Sequence, residues 1–110
     1  MCAVWEETFH TITEAFNRLG RTEPQYADWG FGEGSHLGCL MQADIDAGGY
    51  DTEEQNRAEG GEYDFETAVN EYVHQCWLVH YAGHKSLLTG PKAQVIQLME
   101  RTPGMPLREY

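Results

Sequence analysis

Between Phe65 and Ala82 the chain is apolar on nearly every side, and this stretch constrains the fold more than any other. Phe65, Ala68 and Val69, Tyr72 and Val73, Cys76, and Val79 with His80 recur at the three-and-four spacing of one helix face. Trp77, Leu78 and Tyr81 widen that face in the second half until little polar surface remains. A helix of this kind has to be wrapped by other elements. With Asp64 as N-cap and Gly83 as stop, a central helix is predicted over residues 65–82.

Three further helices can supply the wrapping. Trp5, Phe9, Ile12, Phe16 and Leu19 form a stripe predicting a helix over residues 3–19, with Gly20 in the left-handed position that closes a helix. Leu37, Leu40, Met41 and Ile45, behind a possible Ser35 cap, predict a short helix over 36–47. Pro91 favours a first helical turn, and Val95, Ile96, Leu98 and Met99 carry that helix up to Thr102-Pro103-Gly104. The "DWGFGEGS" stretch holds too many glycines for a regular element, a further turn is possible at 52–58, and "GEYDF" is the one fragment that could pair as a strand. The expected fold is mainly α: one domain over residues 1–110, a small bundle of three to four helices with a long acidic, glycine-rich central segment. Trp5, Phe9, Ile12, Phe16, Val69, Tyr72, Val73, Cys76 and Val79 are expected to share its core.

The charge is not spread evenly. The net charge is -11, yet residues 23–71 alone carry thirteen acids against Arg57, while residues 72–110 are net basic. Crowded like charges destabilise a compact chain, so they serve either solubility or recognition. The densest part, "DIDAGGYDTEEQ" at residues 44–55, approaches a calcium loop: Asp44 and Asp46 fall on the first and third ligand positions and Gly49 on the turn glycine. Gly48 at the fifth position brings no side-chain oxygen, and Gln55 at the twelfth cannot give the bidentate carboxylate, so calcium binding is not expected.

Other metal patterns are also incomplete. Glu7-x-x-His10 and Glu71-x-x-His74 place an acid and an imidazole on one face of each of the two strongest helices, as di-iron carboxylate bundles do. Those bundles need a glutamate from each of two more helices, and the last helix offers only Glu100 near its end. His80 and His84 could share zinc with His74 or Cys76, but His80 reads more simply as a core histidine. No metal site and no cofactor is assigned on these grounds.

Catalytic signatures are missing as well: there is no G-x-S-x-G, no phosphate loop and no H-E-x-x-H, so no enzyme activity is expected. Seven basic residues against eighteen acids give no cationic footprint for nucleic acid. Cys2, Cys39 and Cys76 form no short-spaced pair, which fits a reducing cytosol. The apolar run Cys76–Val79 is far too short for a membrane span, and the N-terminus shows no basic segment ahead of an apolar one.

Binding to protein remains. A segment this acidic complements the basic grooves in which proteins hold DNA or RNA, whose natural ligand carries roughly one charge per 1.7 Å of axis. In size, charge and lack of catalytic motifs the chain resembles the counter-defence proteins of phages and mobile elements, including anti-restriction and anti-CRISPR inhibitors. The resemblance implies an inhibitor that occupies a basic, nucleic-acid-handling partner. Its expected contact residues are Asp44, Asp46, Asp51, Glu53, Glu54, Glu59, Glu62, Asp64 and Glu66, with Tyr50, Tyr63 and Trp29 as aromatic anchors. A metal-binding protein using histidine and carboxylate ligands, and an acidic regulatory subunit of a host complex, are the alternatives.

Overall fold

A computed structural model describes residues 3–51, 64–83 and 87–107. All regular structure among these residues is helical: α1 (Ala3–Leu19), a 3-10 helix (Pro24–Trp29), α2 (His36–Asp46), α3 (Phe65–Tyr81) and α4 (Gly90–Arg101). The mainly helical expectation therefore holds. The possible turn at 52–58 lies outside the described residues, and of "GEYDF" the described part enters α3.

The starts of three helices are chemically explicit. Ser35 Oγ accepts from Gly38 N at 3.0 Å, Asp64 Oδ1 from Thr67 N at 2.7 Å and Thr89 Oγ1 from Lys92 N at 3.3 Å. Each bond satisfies one of the amides that a helix start leaves without an intrahelical partner. Gly83 adopts φ +91°, as its place after α3 requires. Gly20 does not have a positive φ, contrary to expectation. It is needed for closeness instead, because a Cβ there would lie 2.6 Å from the Tyr26 carbonyl oxygen.

α3 is the axis of the core. Trp77 on α3 packs against Trp5 and Phe9 of α1, with ring centroids 5.3 and 5.8 Å away. Val69, Tyr72, Val73 and Cys76 are fully buried beside them, together with Leu37 of α2 and Val95 and Met99 of α4. Of the residues expected in the core, Ile12 is only half-buried at its edge. The 3-10 helix was not foreseen: it lies under the end of α1, where Phe16 stacks on Tyr26 and packs on Trp29. Three polar groups tie the core to the segment after α4. Trp29 Nε1 donates to Thr102 Oγ1 at 2.8 Å, Trp77 Nε1 to the Pro106 carbonyl at 3.1 Å and Tyr26 Oη to the Pro103 carbonyl at 3.1 Å.

The stretch that approaches a calcium loop is a helix ending. Gly48, at φ +81°, donates to Ile45 O at 3.0 Å, and Gly49 donates to Asp44 O at 2.8 Å. These are the two bonds of a Schellman cap, so the glycines close α2. Asp44 turns inward. Its Oδ2 accepts from Lys92 Nζ of α4 at 2.7 Å and from Tyr72 Oη of α3 at 2.9 Å, and Lys92 Nζ also donates to Gly49 O at 2.6 Å. Both ends of the ion pair are buried, Asp44 completely.

Candidate metal centre

Two residues expected on a partner-facing surface are interior. Asp44 belongs to the Lys92 pair just described, and Trp29 is fully buried because its indole N–H finds Thr102 inside the core. Asp46 is exposed and accepts from Gln42 Nε2, Asp51 is exposed, and Tyr50 is half-buried with its ring 4.9 Å from that of Tyr72. Asp64 and Glu66 are exposed at the start of α3. Glu53, Glu54, Glu59, Glu62 and Tyr63 lie outside the described residues.

A different group converges where α1 meets α3. Glu6 and His10 lie four apart on α1, Glu71 and His74 three apart on α3, and each pair shares a helix face. Docking the two helices brings one donor atom from each residue within 4.8 Å of the other three. His10 Nε2 is 3.4 Å from Glu71 Oε1, and His74 Nδ1 is 4.0 Å from Glu6 Oε1. The two imidazoles meet edge to face at 5.1 Å, and Phe9 closes the inner side 5.1 Å from His74. On the next turn, Thr13 Oγ1 bonds Asn70 Oδ1 between the same helices and fixes their register.

Exposure is graded across the cluster. The His74 side chain is 4% exposed, Glu71 16%, His10 24% and Glu6 49%, so the group runs from the core out to solvent. Burial is the main cause of both histidine shifts. It pushes His74 down to about 4, helped by the neighbouring His10, and it lowers His10 despite the opposing pull of Glu6. Both imidazoles are therefore neutral at pH 7, and the contacts to glutamate are not charged ion pairs. His10 Nε2 is buried and has no hydrogen-bond partner among the described residues.

Neutral imidazole is the form that binds metals, and two glutamates would balance a divalent charge. Zinc ligands at about 2.0–2.2 Å in a tetrahedron lie roughly 3.4 Å from one another. The His10–Glu71 spacing already equals that edge. The 4.0 Å between His74 Nδ1 and Glu6 Oε1 shortens if the half-exposed Glu6 side chain swings inward. Mixed nitrogen and oxygen donors suit zinc, manganese, iron or cobalt better than calcium or magnesium, which prefer oxygen alone.

The sequence pattern contains His10, Glu71 and His74 of this group but not its fourth member or its two-helix arrangement. Glu6, not Glu7, faces His10, since on α1 the four-residue spacing brings the pair onto the edge that docks on α3. The di-iron pattern also asked for four helices, whereas two suffice to surround a single ion. Among the described residues His74 points to α1 and not toward His80, whose ring stands on Tyr81. A cavity of about 200 Å³ adjoins the cluster; His10 and Glu71 line it together with Glu14, Asp64, Glu66, Thr67 and Asn70. No family model, curated protein or solved structure matches the chain.

Proposed function

We propose that this chain is a metal-binding protein that holds one divalent transition-metal ion between α1 and α3, on Glu6, His10, Glu71 and His74. The observation that carries the reading is the convergence of four donor atoms from two helices within 4.8 Å, with both imidazoles desolvated and neutral. Protein purified without chelator should contain close to one equivalent of metal by elemental analysis. Restoring zinc, cobalt or manganese to stripped protein at a hundred times the dissociation constant should add about 2.7 kcal/mol of stability. In a domain of this size that is roughly 10 °C in melting temperature. His74→Ala and His10→Ala should abolish the metal-dependent part. A stripped protein whose melting temperature ignores all three ions refutes the reading.

The charge segregation favours a second reading, compatible with the first. Residues 23–71 hold thirteen of the eighteen acids, which suits an inhibitor of a basic, nucleic-acid-handling protein of the counter-defence kind, acting in the cytosol without a catalytic step of its own. An acidic regulatory subunit of a host complex would present the same charge. Asp46, Asp51, Asp64 and Glu66 remain its exposed contact candidates after Asp44 and Trp29 are withdrawn. Reversing Glu53 and Glu54 to lysine should slow association with a partner recovered from lysate, and the effect should shrink as salt rises. Affinity that ignores both changes would leave the acidic segment as a solvated surface.

A further inference from the structure

The cavity beside the His/Glu cluster decides which outside ligand could reach a bound ion. His10 and Glu71 each belong both to the donor set and to the cavity wall. An ion held by the four donors would thus have one side turned toward a space of about 200 Å³, large enough for a ligand of a few heavy atoms. Phe9 and the core close the opposite side, against His74.

The chemistry of the wall is one-sided. Beyond the donors it is formed by Glu14, Asp64, Glu66, Thr67 and Asn70, and no lysine or arginine is among the lining residues. Asp64 is held ionised by the Thr67 amide, which lowers its carboxyl below the usual range. Asn70 is occupied in the contact between helices, with Thr13 and the His10 carbonyl. Glu6 and Glu71 would cancel a divalent charge, so the three remaining carboxylates leave the approach to the ion net negative. Field lines in a concave site lined by one sign of charge are focused, which concentrates the opposite charge and repels the same.

Resting on the metal reading, we infer that the open side of this centre accepts small cationic or neutral ligands, of the amino-alcohol or amine class, and excludes anions. The hydroxyl or amine of such a ligand meets the ion, and its ammonium lies against Glu14 and Glu66. Carboxylates and phosphates, the usual outside ligands of exposed metal ions, meet repulsion from the same two side chains.

Ethanolamine and glycolate test this directly, since each carries a hydroxyl next to a charged group and the charges are opposite. Glycolate is intrinsically the better chelator, so any preference for ethanolamine has to come from the walls. The protein is loaded with cobalt(II), and its visible absorption is followed as each probe is titrated at low salt. The expected result is that ethanolamine perturbs the bands at concentrations at least tenfold below glycolate, and that Glu14→Gln with Glu66→Gln reverses the order while the cobalt spectrum persists. Cobalt bands that respond to glycolate first in the wild type overturn this inference and leave metal binding intact. A chain that takes up no cobalt, or takes it up equally after His74→Ala, overturns both. If the double variant fails to fold, the wild-type preference and its loss at high salt still decide the question.

Discussion

Replacing Lys92 by methionine probes the most costly arrangement in the core. The substitution keeps the length of the buried stem but removes an ammonium that donates at 2.7 Å to Asp44 and at 2.6 Å to the Gly49 carbonyl. Asp44, completely buried, would keep only the Tyr72 hydroxyl, since its Oδ1 has no hydrogen-bond partner among the described residues. Breaking one side of a buried ion pair costs about 3–5 kcal/mol, because the surviving charge loses its partner without regaining water. Domains of this kind are stable by about 5–15 kcal/mol, so Lys92→Met should remove a large part of the total. Asp44→Asn should cost a similar amount by stranding the lysine. The double variant strands neither charge, and Tyr72 can still donate to the asparagine oxygen. It should therefore be more stable than the sum of the single losses requires by about 2–3 kcal/mol. Urea unfolding followed by tryptophan fluorescence measures all four corners of the cycle. Losses that simply add, or a Lys92→Met loss below 1 kcal/mol, would mean that the pair is not formed in solution.

Acid should weaken the metal-free fold through the histidine cluster. Unfolded, His74 takes up a proton near its ordinary 6.5; folded, it waits until about 4, so stability is full above pH 6.5 and falls as pH drops through that window. A shift of this size corresponds to roughly 3 kcal/mol, His10 adds in the same direction, and His74→Leu should flatten the slope in urea melts between pH 7 and 4. Phe16→Ala, which empties the space between Tyr26 and Trp29, should cost about 3–5 kcal/mol, and a loss under 1 kcal/mol in denaturant melts would show that this contact is absent.

Helices were legible where period and cap agree. Ser35 and Asp64 each cap the helix predicted behind them, and Pro91 sits in the first turn of α4. The 3-10 helix at 24–29 was not, since a six-residue segment has no period to read, and what holds Trp29 is a hydroxyl at Thr102, far along the chain. The run of acids that Asp44 opens reads as surface. The phase of Asp44 points the other way: with Leu37, Leu40 and Met41 it completes the apolar stripe of α2, and Lys92 stands likewise in line with Val95, Ile96 and Met99 on α4. Opposite charges on two apolar stripes are the sequence trace of a buried pair. The histidine–glutamate cluster left a fainter one, because Glu6 with His10 and Glu71 with His74 come together only after α1 docks on α3, and no local spacing encodes that docking.

The bonds from Tyr26, Trp29 and Trp77 to the segment 102–107 bear on the order in which the chain is made. Synthesis adds α1, the 3-10 helix, α2 and α3 to the chain before Thr102, Pro103 and Pro106 exist. Until then two indole N–H groups and a phenol hydroxyl have only water to bond, and the faces that α4 and the segment behind it will cover stay wet. A chain that lacks Thr102 and the residues behind it should therefore expose part of its core, and exposed apolar surface of that kind favours aggregation. Closure of this core therefore waits on residues 102–107, although every helix that lines it precedes them in the chain.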